Sequence, residues 1–177
     1  MNHQIGDYIL RHPEHTDVED LYEQKNDADI ADMLGGFSMG YSRADLSEWI
    51  DYHRKCANEI VWVIAEADTD RCVGHVGLYK IDQRVGSAEF GIMLGDRTVW
   101  GKGLGRACTE FAVDYAFTQL NLNRVELSVL ATNERAAKLY RSLGFVDEGR
   151  LRQAQFKAGQ YVDVLLMGLL RSEHTCK

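Results

Sequence analysis

The chain has 177 residues, of which 45% are hydrophobic and 27% are charged, and its formal net charge at neutral pH is −7. This length and composition are typical of a globular protein, and we expect one domain over residues 1–177. The acidic surplus argues against a nucleic-acid-binding protein, which would need a basic surface. The chain contains no long apolar run and no signal peptide, so we expect a cytoplasmic protein without membrane contact.

The four cysteines and six histidines give no sign of a disulfide framework or a metal site. The cysteines are scattered without a C-x-x-C pair, which indicates free thiols in a reducing compartment. The histidines form no H-E-x-x-H motif. His12 and His15 are spaced like two ligands, but they lie in a polar segment beside the only proline, Pro13. We therefore expect no metal.

The charge is distributed unevenly along the chain. Residues 1–70 contain sixteen acidic and five basic residues, a formal charge of −11, whereas residues 71–177 carry +4. Solvated helix faces explain such a surplus in many proteins. The alternative is a division of roles, in which the C-terminal part binds an anionic cofactor and the N-terminal part attracts a cationic or amine-bearing substrate.

The N-terminal third predicts one short strand followed by three helices. The strand covers residues 8–11, and the helices cover about residues 17–24, 29–34 and 42–56, with Ser42 as the cap of the third. Residues 35–41 combine glycines with aromatic and sulfur side chains. That composition suits a loop that closes on a ligand, and it suits an ordinary surface loop equally well.

The rest of the chain alternates between strand and helix patterns. Strands are predicted at residues 60–66, 72–81, 87–94, 124–130, 145–155 and 162–170, and helices at residues 107–120 and 133–143. Together with the first strand, these elements predict an α/β (α+β mixed) fold in which a central mixed sheet of about seven strands has helices on both faces.

A glycine-rich segment separates the predicted strand 87–94 from the helix that follows. It reads Trp100-Gly101-Lys102-Gly103-Leu104-Gly105-Arg106. The glycines allow a tight turn and a close approach of ligand to backbone, and the helix start presents free N–H groups. With the charges of Lys102 and Arg106, the segment predicts an anion site for a pyrophosphate. A plain turn is the alternative, and the spacing fits neither the P-loop nor the Rossmann fingerprint.

A second motif, N-x-x-A-x-x-x-Y-x-x-x-G-F, begins at Asn133 and ends at Phe145. Together with the glycine loop upstream, it resembles the GNAT superfamily of acetyl-CoA-dependent N-acetyltransferases. The family's Q/R-x-x-G-x-G/A loop falls on residues 100–105, with Trp100 replacing the polar first residue. The tail from Glu148 to Asp163 resembles the branch of ribosomal-protein N-terminal and spermidine acetyltransferases.

The resemblance implies a GNAT fold with a mostly antiparallel sheet, acetyl-CoA as the acetyl donor and a possible homodimer. The pyrophosphate would lie on the loop from Trp100 to Arg106. Backbone N–H groups near Ile92, Met93 and Leu94 would bind the pantetheine arm and the oxyanion that forms from the thioester carbonyl. Asn133 would also bind the pantetheine arm. Arg135 would contact the adenosine end, although the basic residues of its helix also suit a solvated face.

Acetyl transfer to an amine needs a proton acceptor and a proton donor. An amine with a pKa of ~10.4 is only about one part in a thousand neutral at pH 7, and the CoA thiol leaves with a pKa of ~8.5. Tyr140 lies two helical turns after Asn133, and we expect it to donate a proton to the sulfur. Glu89, on the strand that should splay beside the thioester, is the candidate base, directly or through water. A covalent cysteine intermediate is not needed, and Cys108 falls on a core face.

The sequence therefore predicts an N-acetyltransferase that moves the acetyl group of acetyl-CoA to a primary amine by direct attack. The acidic N-terminal third favours a polyamine or another small cationic amine. A nucleotide-linked aminosugar and a ribosomal-protein N-terminus remain alternatives. A CoA-binding module without catalytic activity is an alternative of a different class.

Overall fold

The computed structural model describes residues 2–36 and 39–174. Its helices are α1 (Val18–Lys25), α2 (Ala28–Met33), α3 (Arg43–Lys55), α4 (Leu104–Thr118) and α5 (Glu134–Ser142). Its strands are β1 (His3–Ile5), β2 (Tyr8–Arg11), β3 (Ile60–Glu66), β4 (Cys72–Asp82), β5 (Ser87–Leu94), β6 (Arg124–Leu130), β7 (Val146–Lys157) and β8 (Gln160–Leu170).

The strands form one mixed sheet in the order β1-β2-β3-β4-β5-β6-β8-β7. Every neighbouring pair is antiparallel except β5 and β6, which are parallel. The predicted mixed, mostly antiparallel sheet is confirmed, with eight strands instead of about seven. The additional strand, β1, was missed because its three residues are too few to show an alternating pattern.

The helices pack on both faces of the sheet, as predicted. One hydrophobic cluster lies under α4 and α5 and includes Cys108, Ala112 and Tyr140. The other lies under α1, α2 and α3 and includes Leu21, Ile30 and Leu46. The central strand β3 contributes to both clusters, because successive side chains of a strand point to opposite faces.

Two helix starts differ in how well the sequence predicted them. The start of α3 is confirmed, since Ser42 and Asp45 form a capping box in which each side chain accepts the other's backbone N–H. Helix α4 begins at Leu104 and not at residue 107. Gly103 is its N-cap, with a φ of 84°, so the glycine loop passes directly into the first helical turn.

A buried ion pair joins the end of β2 to the start of α1. The Arg11 guanidinium contacts the Asp17 carboxylate at 2.7 Å, and these side chains are only 8% and 2% exposed. Arg11 also binds Asp70, in the turn between β3 and β4, at 2.7 Å. The pair therefore fixes the N-terminal strand and helix against the centre of the sheet.

We expect Asp17→Asn to lower the free energy of unfolding by about 3 kcal/mol, because the substitution leaves a buried guanidinium without its main partner. Urea unfolding monitored by circular dichroism would measure the loss as a lower midpoint at unchanged slope. Glu19→Gln is the control, since it breaks the exposed pair of Glu19 with Arg43 and should cost less than about 1 kcal/mol. Equal losses in both variants would contradict the prediction.

Candidate active site

The parallel strands β5 and β6 pair over only three residues each and then separate. The paired residues are Ser87 to Glu89 on β5 and Arg124 to Glu126 on β6. Beyond Glu89 the backbone of β5 remains paired with β4 on its other side, but its side facing β6 has no strand partner among the residues that the structure describes. The peptide groups there are available to a ligand. The predicted splay of the strand that carries Glu89 is therefore present.

The glycine loop closes one end of this gap. Gly101 and Gly103 have φ values of 77° and 84°, a left-handed conformation that a side chain rarely adopts. In the described part of the chain, no side chain caps the start of α4, so the first N–H groups of that helix are free to bind an anion. The Trp100 indole N–H donates to the Leu94 carbonyl at 3.0 Å, which anchors the loop to the end of β5.

A cavity of about 340 Å³ lies between β5, the glycine loop, α2 and α5, and we call it the donor cavity. It brings together eleven of the fourteen predicted site residues. These are Ile92, Met93, Leu94, Trp100, Gly101, Gly103, Gly105, Arg106, Asn133, Arg135 and Tyr140. The remaining lining residues are Ile30, Met33, Leu34, Val99, Ala136 and Leu139.

Three predicted site residues do not line the donor cavity. Leu104 is buried in the core below α4, so only its backbone belongs to the loop. Lys102 is exposed to solvent. Glu89 forms an ion pair with Lys80 at 2.6 Å. Its role as the base, directly or through water, stays a prediction.

Tyr140 lies where the predicted acid should be, on the inner face of α5 and in the wall of the donor cavity. Its side chain is nearly buried and packs edge-to-face against Phe90 and Phe145, with ring centroids at 6.0 and 5.9 Å. Burial raises the pKa of the phenol to about 12. The hydroxyl therefore keeps its proton at neutral pH, as a proton donor must.

The start of α5 faces both the glycine loop and α2. The Asn133 side chain caps α5 by accepting from the Ala136 N–H, and it donates to the Met33 carbonyl at 3.4 Å. The Arg135 guanidinium lies close to Gly101, where an added Cβ would be 3.8 Å from it. Asn133 thus holds the end of α2 over the donor cavity, a contact that no local pattern could have predicted.

A second, smaller cavity of about 80 Å³ lies on the other side of α2, and we call it the acceptor cavity. Its lining residues are Lys25, Ile30, Ala31, Leu34, Gly35, Gly36, Tyr41, Met93 and Lys157. Ile30, Leu34 and Met93 line both cavities. The two cavities therefore share three apolar residues of their walls.

The loop over residues 35–41 is attached at both ends. The Gly36 N–H donates to the Gln155 side chain at 3.1 Å, and Asn26 exchanges two hydrogen bonds with the Tyr41 backbone. Phe37 and Ser38, part of the predicted closing loop, lie outside the described residues. The aromatic residue that the structure does place beside the acceptor cavity is Tyr41.

The described residues contain no group of three His, Cys, Asp or Glu side chains that could hold a metal ion. Cys56, Cys72 and Cys108 are free thiols, and the fourth cysteine, Cys176, lies outside the described part of the chain. Among the helices of residues 2–36 and 39–174, none is long and apolar enough to span a bilayer.

The sequence profile of the acetyltransferase (GNAT) domain matches residues 7–146, and this chain belongs to that family. It is 34% identical to a spermidine N(1)-acetyltransferase of Vibrio cholerae over 98% of this chain and 97% of the relative. An uncharacterized N-acetyltransferase of Bacillus licheniformis is 41% identical over 67% of this chain and 65% of its own length.

A crystal structure of spermidine N-acetyltransferase from Vibrio cholerae with CoA and spermine has the same fold. It superimposes with a TM-score of 0.84 at 32% identity, covering 96% of this chain and 98% of that one. The class of protein that the fold and the glycine loop define is thus a GNAT enzyme. The chain is an N-acetyltransferase that uses acetyl-CoA.

Proposed function

We propose that this chain acetylates a primary amine of a polyamine by direct attack of the amine on acetyl-CoA bound in the donor cavity. The observation that carries the proposal is the opening between β5 and β6, which exposes unpaired peptide groups beside Tyr140 and the glycine loop. In this proposal the CoA pyrophosphate binds the loop, and the thioester points toward the paired part of β5.

The glycine loop fits a pyrophosphate for two physical reasons. An added Cβ at Gly103 would meet no protein atom within 4 Å, so the space over its backbone is open to a ligand. The free N–H groups and the positive end of the α4 dipole point at that space, and Arg106 lines it. Acetyl-CoA supplies the activated acetyl group, and the loop holds and orients it.

Residues of β5 and α5 surround the predicted thioester position. Backbone N–H groups of β5 that face the gap would donate to the carbonyl oxygen as it gains negative charge. The Tyr140 hydroxyl would protonate the departing sulfur, which requires the neutral phenol that burial maintains. Both roles depend on the preorganised geometry of the cavity wall and on the exclusion of water.

The acceptor is proposed to enter from the acceptor cavity, since Met93 lies between that cavity and the donor cavity. The polyamine assignment is supported by the full-length similarity to spermidine N-acetyltransferases and by the acidic N-terminal third, which would raise the local concentration of a cationic substrate. We further propose that the enzyme acts in the cytoplasm as a single GNAT domain and forms a homodimer.

The test is thiol release from acetyl-CoA with a panel of amines, followed by DTNB and confirmed by mass spectrometry of the acetylated product. We expect spermidine and spermine to give higher kcat/KM values than an aminosugar nucleotide or a peptide with a free N-terminus. Controls without acceptor account for the protein's own thiols. Background rates with all amines would favour a CoA-binding module without catalytic activity and would contradict the proposal.

A further inference from the structure

The acceptor cavity is lined by two lysines and by no acid among the residues that the structure describes. This lining is unexpected beside a site that is proposed to take a cationic acceptor. Lys157 enters from the end of β7, and its ammonium donates to the Ala31 carbonyl at 2.9 Å. Lys25 enters from the end of α1, and its ammonium group contacts aromatic rings.

The Lys25 ammonium lies over two aromatic rings. It is 4.8 Å from the centroid of the Trp49 ring and 5.5 Å from that of Tyr41. In the described part of the chain, no carboxylate lies within ion-pairing distance of its Nζ. A cation held by ring faces and not by acids is an arrangement that proteins also use to bind ammonium groups of ligands. The side chain of Lys25 thus occupies a place suited to the ammonium of an acceptor.

The titratable side chains of β4 that interact with Lys25 carry no negative charge at neutral pH. From β4, His75 is buried with its Nδ1 lacking a hydrogen-bond partner, and burial together with Lys25 keeps its pKa well below the usual value. Burial raises the pKa of the Cys72 thiol to about 12. From α3, His53 binds the Trp49 carbonyl through its Nδ1. From β7, Lys157 adds a second positive charge.

Burial also lowers the pKa of Lys25 to about 8. The side chain is therefore charged at neutral pH and loses its charge within the range in which the enzyme can be assayed. A folded-state pKa below the usual value means that the cavity disfavours the charged form. A cationic ligand placed in the same cavity would disfavour the charged form of Lys25 further.

We propose that Lys25 is a specificity-determining residue, an internal cation that competes with a cationic acceptor for the Tyr41 and Trp49 rings. The inference rests on the proposed function, because it assumes that the acceptor binds in this cavity. An acceptor ammonium takes the aromatic position only when the Lys25 side chain moves away, and the loss of its proton makes that movement easier. Lys25 thereby reduces the affinity for polyamines at neutral pH and favours acceptors with fewer positive charges near the reacting amine.

The experiment compares Lys25→Met, which keeps the apolar length without charge, with Lys25→Arg, which keeps the charge. We expect Lys25→Met to lower both KM and the calorimetric Kd for spermidine by about tenfold at pH 7. The KM for acetyl-CoA and the kcat should stay within about twofold. In the wild type, the KM for spermidine should fall more steeply between pH 7 and about pH 9 than in Lys25→Met, since only the wild type loses the Lys25 charge over that range.

Matched acceptors separate the effect on charge from an effect on shape. n-Butylamine, putrescine and spermidine carry one, two and three amines, and the gain in Lys25→Met should increase along this series. An unchanged or higher KM for spermidine in Lys25→Met overturns the proposal, as does a similar gain in Lys25→Arg. If no amine supports turnover, the proposed function is contradicted. The Kd of spermidine for the wild type and for Lys25→Met, measured by calorimetry in the presence of CoA, then still tests the role of Lys25. If spermidine binds neither the wild type nor Lys25→Met, the inference is overturned.

Discussion

Tyr140→Phe is expected to lower kcat for acetyl transfer by ~10²–10⁴-fold while the Kd for acetyl-CoA stays within about twofold. The substitution removes only the hydroxyl, and the ring contacts with Phe90 and Phe145 remain. Because the pKa of the phenol is raised to about 12, Tyr140 keeps its proton through the neutral and mildly alkaline range. The loss should therefore be about equal at pH 7 and at pH 9.

Steady-state kinetics would measure kcat, and calorimetry with CoA would measure the affinity for the cofactor. Tyr115→Phe is the matched control, since Tyr115 packs on Trp62 between α4 and the sheet and does not line the donor cavity; its kcat should remain near the wild-type value. If Tyr140→Phe weakened CoA binding strongly and left kcat unchanged at saturation, the tyrosine would have a structural role and the assignment as the acid would be wrong.

The parts of the site that the sequence predicted are those specified by local backbone chemistry. Gly103 adopts a left-handed conformation that glycine favours, and Asn133 caps the helix it begins. Both signals extend over a few residues, so they can be read without knowledge of the fold. The position of Tyr140 follows from Asn133 through the helical repeat, because seven residues are about two turns.

The parts that the sequence did not predict depend on contacts between distant segments. Helix α2 was predicted close to its observed bounds, but its position over the donor cavity comes from a contact of Met33 with Asn133, 100 residues later. The role proposed for Lys25 likewise depends on its contacts with the rings of Trp49 and Tyr41, which lie on other elements. No periodicity or composition specifies which surfaces of a chain meet in this way.

Glu89 lies on a correctly predicted strand, and its role as the base stays a prediction. Its strand, β5, was predicted with the observed bounds, and the strand separates from β6 directly after Glu89. The pairing of β4 with β5 shifts between Tyr79 and Asp82, and Lys80 has a φ of 50° within that shift. The irregularity accompanies the ion pair of Lys80 with Glu89, and a bulge of this kind has no clear signal in a single sequence.

Gly103→Val is expected to weaken acetyl-CoA binding by at least ~100-fold, because the side chain would fill the space above the loop and separate a pyrophosphate from the free N–H groups of α4. Two lost hydrogen bonds to a charged ligand, at ~1.5–3 kcal/mol each, account for such a loss. The affinity would be measured by calorimetry with CoA. The variant should also lose about 1–3 kcal/mol of folding stability, since a β-branched residue at a φ of 84° is strained.

Gly6→Val separates the steric effect from the strain. Gly6 also has a positive φ, of 56°, and an added Cβ there meets nothing within 4 Å, but it lies in the turn between β1 and β2, away from the donor cavity. Both variants should therefore lose similar stability in urea unfolding, and only Gly103→Val should lose affinity for CoA. Normal binding by folded Gly103→Val would exclude the glycine loop as the pyrophosphate site. If Gly6→Val lost as much affinity for CoA as Gly103→Val, general destabilisation would explain both losses. The proposal that CoA lies along β5 toward Tyr140 would then have no support from the glycine loop.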